Sequence, residues 1–227
     1  ALGYYKKLEE YAENTKNKDH AILHLMRCYY KVKDYEHAID YANKTLLIEK
    51  ISNDVIYEAH YVLAKSLYAQ QKYDDAMAEF RVVANSTKNQ LGAESQYHIA
   101  LLQHNKADYK IAEKTIYDLI NSEVNSPYWV TNALILLADN YVALKDNFQA
   151  KTILNSVLAD SDITDLVKTA QEKLDKINAD EAAAKAPKIV PAPEQINFDD
   201  EDEQEKLFNV EPPPAPQNSE EGGKANE

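Results

Sequence analysis

Alanine recurs at Ala38, Ala76, Ala112 and Ala150, at intervals of 38, 36 and 38 residues, and a set of apolar positions travels with it. Twelve residues earlier stand Met26, Ala64, Ala100 and Ala138, each directly after a large aliphatic residue: Leu25, Leu63, Ile99 and Leu137. Four residues later come Ala42, Phe80, Ile116 and Leu154, and seven later Thr45, Val83, Leu119 and Val157. Tyr35, Tyr73, Tyr109 and Asn147 lead the alanine by three. A period in this range, with two helical apolar stripes per unit, constrains the chain to a solenoid of stacked helix pairs.

The spacing has a physical cause. Two antiparallel helices joined by a turn of a few residues must approach closely, so small side chains sit where the backbones cross. The tyrosine at the head of the second helix is placed to cover the turn. Each pair leaves one apolar face bare, and the next pair buries it. Asp34, Asp108 and Asp146 are candidate N-caps for second helices, and Ser52 for a first helix. Ser126-Pro127 reads as a cap followed by proline at the first helical position. These signals predict helices over 3–13, 19–32, 35–49, 53–70, 73–85, 89–105, 109–122, 127–144, 147–159 and 162–184.

The pattern Leu63-Ala64, Tyr73, Ala76, Phe80 resembles the tetratricopeptide repeat family, and the segments from Ile99-Ala100 and Leu137-Ala138 follow it. Crossing glycines and the leading tryptophan of that family are missing, and its loop proline survives only as Pro127. Repeats of 36 and 38 residues exceed the usual ~34 and resemble the lengthened repeats of bacterial envelope-assembly proteins. The resemblance implies an all-α, right-handed α-α superhelix that binds proteins, in or near the periplasm or outer membrane. Some family members clamp a chaperone's C-terminal carboxylate. Where those carry Lys and Asn on the first helix and Lys and Arg on the third, this chain has Leu23, Arg27, Tyr97 and Leu101, so that activity is not implied.

The ends differ from the body. Tyr4, Tyr5, Leu8, Tyr11 and Ala12 recur as on a second helix lacking its first, so residues 1–17 read as the remnant of a preceding repeat in a longer array. Residues 18–160 hold the four repeats. Residues 161–185 form a closing helix, apolar on one side at Ile163, Leu166, Val167, Ala170, Leu174 and Ile177. From 186 onward the chain turns acidic and proline-rich. Residues 179–227 hold 13 acidic and four basic residues, which accounts for -9 of the net charge of -13. Such a tail lacks the apolar residues for a core and is expected to be disordered. Within it Ile196, Phe198, Leu207, Phe208 and Val210 flank an acid run, either as a short recognition motif or as chance residues in a spacer.

Little in the chain suggests chemistry. With no basic patch to oppose the negative charge, nucleic acid is a poor partner. No stretch approaches the ~20 apolar residues of a membrane span, and Cys28 is the single cysteine, read as a small buried hydrophobe. His20 and His24, four apart, lack a third metal ligand, His98 and His104 carry no metal signal, and the run Asp199–Glu205 lacks a calcium loop's glycine turn. There is no phosphate-binding glycine loop. The chain reads as a non-enzyme without cofactor or metal.

The inner surface is the candidate site. Offsets of -6, -3, +1 and +4 from the crossing residue on each first helix give His20, Leu23, Arg27 and Tyr30; Glu58, Tyr61, Lys65 and Tyr68; Glu94, Tyr97, Leu101 and His104; and Asn132, Ile135, Asp139 and Val142. Tyrosines beside Arg27 and Lys65 suit capture of a peptide, arginine serving as a carboxylate anchor. The competing reading is that these rings pack between repeats. A scaffold in an envelope or membrane-associated complex accounts for these features, as does a regulatory or substrate-recruiting subunit binding through its acidic tail. If the alanine frame marks helix crossings, Ala64→Leu and Ala100→Leu each lower stability by about 1–3 kcal/mol; thermal unfolding of both variants checks it.

Overall fold

The computed structural model describes residues 1–122 and 126–185. Among them it has ten helices and no strand: α1 (Leu2–Tyr11), α2 (Thr15–Lys31), α3 (Tyr35–Leu46), α4 (Asn53–Ala69), α5 (Tyr73–Ser86), α6 (Gln90–Asn105), α7 (Tyr109–Ile120), α8 (Pro127–Ala143), α9 (Asn147–Asp160) and α10 (Thr164–Lys185). Ala1–Lys185 forms one compact unit. Ile196, Phe198, Leu207, Phe208 and Val210 lie outside the described residues.

Every position of the apolar frame is buried. Ala38, Ala76, Ala112 and Ala150 are fully enclosed, as are their partners Met26, Ala64, Ala100 and Ala138 to within one per cent. The core runs the length of the stack as four linked clusters. The first joins α2, α3 and α4 around Leu25, Met26, Tyr29 and Leu63; the last joins α8, α9 and α10 around Leu137's neighbour Ala138, Leu154, Leu166 and Ile177. Leu2 and Tyr5 bring α1 against the first cluster, although no residue of α1 is fully buried. Cys28 departs from expectation: it is half-buried rather than enclosed, because it sits one position off the core stripe that Leu25, Met26 and Tyr29 occupy.

The two kinds of connection divide the work. Each turn from a first to a second helix has three residues, 32–34, 70–72, 106–108 and 144–146. In each, the middle residue is left-handed: Lys33, Gln71, Ala107 and Lys145, with φ of 61°, 62°, 62° and 63°. Two hydrogen bonds that close the end of the first helix accompany it. Asp34 N–H donates to Tyr29 O and Lys33 N–H to Tyr30 O, and the same pair of bonds recurs at Lys72/Gln71, Asp108/Ala107 and Asp146/Lys145. The return connections absorb the uneven period. Residues 47–52 and 121–126 make six-residue links, and residues 87–89 a three-residue link. The short link explains Gly92. A Cβ there would collide with the carbonyl oxygen of Thr87, so α6 needs glycine in its first turn, where the chain doubles back through three residues.

Capping follows the sequence only in part. Asp34 and Asp146 accept from His37 N–H and Gln149 N–H, at 3.3 and 3.1 Å. Ser52, Asp108 and Ser126 make no such side-chain bond, while Asn14 and Asn89, which lack an apolar run directly behind them, cap α2 and α6. The expected cover of the turns by tyrosine is also partial. Tyr73 is 41% exposed, lying edge-on to Tyr68, and Tyr109 lies edge-on to His104.

Two substitutions test the turns against ordinary helix propensity. Ala107→Gly relieves a left-handed residue and raises stability by about 0.5–1 kcal/mol, after the entropy that glycine loses on folding. Gly92→Ala, usually favourable in a helix, lowers it by about 1–3 kcal/mol through the clash with Thr87. Urea unfolding of both variants is the check.

Candidate protein-binding groove

The first helices form an inner row. α2 approaches α4, α4 approaches α6, α6 approaches α8 and α8 approaches α10, whereas α3, α5, α7 and α9 do not approach one another. Crowding on one side and splay on the other make the first-helix side the inner face of the stack. The nine candidate residues there, Leu23, Arg27, Tyr30, Tyr61, Lys65, Tyr68, Tyr97, Leu101 and His104, are all half-buried. From the wider set Ile135 departs: it is buried in the core shared by α8, α9 and α10 and does not line the groove. Val142, by contrast, is exposed.

The charged members are already paired with one another across repeats. Arg27 Nε and Nη2 donate to the two carboxylate oxygens of Glu58 at 2.7 and 2.6 Å, a bidentate pair between α2 and α4. One repeat on, Lys65 Nζ and the Tyr61 hydroxyl both donate to Glu94 Oε1, at 2.9 and 2.8 Å. At the far end Lys173 of α10 donates to both oxygens of Asp139 at 2.8 and 3.0 Å. The carboxylate anchors read into Arg27 and Lys65 are therefore engaged within the protein. The signal was in the sequence. Offset +1 of one repeat and offset -6 of the next carry opposite charges twice, Arg27 with Glu58 and Lys65 with Glu94, while the third such pair is the uncharged Leu101 and Asn132.

Glu94 and His98 form the polar centre of this face, and both are buried. His98 Nε2 lies 3.0 Å from Lys65 Nζ and 3.5 Å from Glu94 Oε1. Burial opposes ionisation of Glu94, but His98, Lys65 and Tyr61 contacts with the charge of Lys65 outweigh it and hold the carboxyl at about 2. Burial lowers His98 below its ordinary value, against the contact with Glu94, which raises it. Burial also raises Tyr30, Tyr61 and Tyr97, the last to about 12, with Glu94 adding to the rise at Tyr61 and Asp139 to that at Tyr97. These tyrosines remain neutral hydroxyl donors throughout the physiological range.

Aromatic rings connect the repeats beside the ion pairs. Tyr30 meets Tyr61 edge-on at 6.3 Å, and Tyr97 meets Trp129 of α8 at 5.3 Å. His98 stacks on Phe80 at 4.9 Å and also neighbours Tyr68, Tyr97 and Trp129. Trp129 and His98 were not among the candidates. Both fall off the four chosen offsets, and His98 faces the groove centre from the core side of α6. His104 Nδ1 pairs with Oδ1 of the buried Asn140 on α8. His20 and His24 lie ring to ring at 4.4 Å with Tyr5 stacked on His24. No group of three or more potential metal ligands occurs among the described residues, nor any helix long and apolar enough to cross a membrane.

No family model and no curated protein sequence matches the chain. Solved structures do. It superposes on YrrB, described as a tetratricopeptide-repeat protein with an unusual peptide-binding site, with a TM-score of 0.56 at 15% identity over 75% of this chain and 81% of that one. MamA gives 0.53 at 17% over 82% and 90%, and BtubC from P. vanneervenii gives 0.56 at 14% over 99% and 97%. At such identities the likeness is one of fold. The chain has the tetratricopeptide-repeat fold, an α-α superhelix of helix pairs.

The network sets a pH dependence. Glu94 has an unfolded-state value near 4.5 and a folded value of about 2, so its contribution is full above the former and disappears as pH falls towards the latter. Glu94→Gln is less stable than the parent at neutral pH by roughly 2–3 kcal/mol. That difference closes as pH drops through this window, which paired denaturant titrations from neutral to acid pH measure.

Proposed function

We propose that the chain is a protein–protein interaction scaffold that takes up partner polypeptide along the inner face of its first helices. The observation that carries this reading is the inner row itself. Half-buried aromatic side chains on α2, α4, α6 and α8 are fixed by bonds and ring contacts between repeats, so they offer contact area at small further cost in entropy. Rigidity of this kind suits recognition of a segment that is itself ordered on binding. Chemistry is not the role assigned, because the polar centre at Glu94 is neutralised by its own neighbours rather than aimed at a substrate.

The setting we assign is a multiprotein assembly of the bacterial cell envelope. Its support is the repeat length of 36 and 38 residues, the additional residues of the longer repeats lying in the six-residue links. Photo-crosslinking tests both parts. A photoreactive residue at Leu23 or Leu101, on the inner face, is expected to form adducts with a defined set of partners. The same residue at Ile111 or Phe148, exposed on second helices, is expected to form none. Adducts confined to the outer positions overturn the groove reading, and recovery of the adducts away from the envelope fraction overturns the setting.

A further inference from the structure

The inner face also constrains what it can hold. Resting on the reading of that face as a binding surface, we propose that the segment it takes up is uncharged and proline-rich, in the polyproline II conformation, seated on the tyrosines and Trp129 rather than on the cations.

Charge is the first argument. A carboxylate-bearing ligand needs a cation that is free to receive it, and those beside the tyrosines are paired: Arg27 with both oxygens of Glu58 and Lys65 with Glu94, while Lys173 further along is held by both oxygens of Asp139. Drawing Lys65 onto a ligand strips Glu94, which is buried, of its charge partner, and an uncompensated buried charge is costly. An acidic segment also meets the carboxylates of Glu58 and Asp139 beside every cation it approaches. A neutral segment disturbs none of these pairs.

Surface chemistry is the second. What the paired charges leave available is aromatic: Tyr30 and Tyr61 between α2 and α4, Tyr68 on α4, and Tyr97 with Trp129 between α6 and α8. Proline-rich segments dock on aromatic-lined grooves, losing little entropy because the extended helix is preformed. The neutral hydroxyls of Tyr30, Tyr68 and Tyr97 donate to its exposed carbonyls, whereas that of Tyr61 stays on Glu94.

Fluorescence anisotropy with the full chain tests this, using end-capped labelled decaproline and a glutamate-rich decapeptide with a free C-terminal carboxylate. Decaproline is expected to bind at least about tenfold more tightly, with affinity moving less than about twofold between low and physiological salt. Tyr97→Ala and Tyr30→Leu, each verified as folded by circular dichroism, are expected to weaken it at least about fivefold. Using two variants keeps the test open if one fails to fold. Phe148→Ser, exposed on the second helix α9 and away from the inner face, is expected to leave decaproline affinity within about twofold. Preference for the glutamate-rich peptide, a steep fall with salt, or no decaproline binding overturns the proposal. If adducts still form at Leu23 and Leu101 in that event, the scaffold reading stands and only the ligand chemistry is lost; if they do not, both fall.

Discussion

The close crossing of two helices over a pair of small residues is the contact on which the rest of this molecule depends. Ala76 lies against the helix carrying Ala64, and Ala112 against the helix carrying Ala100, with no side-chain volume to hold the backbones apart. Close approach lets the large residues a turn away, Phe80, Ile116 and Leu154, interdigitate fully, and all three are completely enclosed. The crossing also leaves no room for a slack connection, which is why every turn between paired helices has three residues with the middle one left-handed. That the left-handed residue is lysine, glutamine, alanine and lysine rather than glycine means that each turn carries a local strain outweighed by the packing it permits.

Identical turns have a consequence for the site. Because each pair reverses in the same way, the first helices always fall on the same side and the second helices on the other. Unequal return links, three or six residues long, change the spacing in sequence without disturbing the alternation. A row of first helices then exists whose facing side chains come from residues about 30 apart in the chain, as Arg27 and Glu58 or Tyr61 and Glu94 do. The groove is thus a product of the turn geometry, and its polar bonds tie neighbouring repeats together. The half-exposed pairs among them contribute at most about 1 kcal/mol each, so their larger effect is on geometry: Glu94, held by Lys65, in turn fixes the ring of Tyr61.

How much of this was legible follows from distance along the chain. The apolar frame is a short-range pattern, so the helices and their buried residues could be read from it, including the unusual Thr45, whose hydroxyl donates to Tyr41 O inside the same helix. Caps were less legible because Ser52, Asp108 and Asn89 are chemically similar, and only the local backbone decides which side chain reaches an amide. The end of α3 at Leu46 rather than at residue 49 is of the same kind, as the six-residue link begins with tight bonds from Leu47 and Ile48 N–H to Lys44 and Thr45 O. Of the residues chosen by offset Ile135 lies in the core instead, and the partners of the charged ones lie a whole repeat away. Hence Arg27 and Lys65 read as free anchors when they are engaged, and Trp129, outside the offsets, was missed.

That engagement separates two scales of electrostatics. At long range the chain presents its net charge of -13, a field that favours basic partners and discourages acidic ones before any contact is made. At contact range the inner face presents ion pairs that cancel in place and tyrosines that burial keeps protonated. If the inner face is the binding surface we propose, the first scale governs which molecules arrive and depends on salt, and the second governs which stay and depends on shape and aromatic area. Charges spent on joining repeats give the face a fixed shape, so on the proposed reading selection there falls to shape and aromatic area.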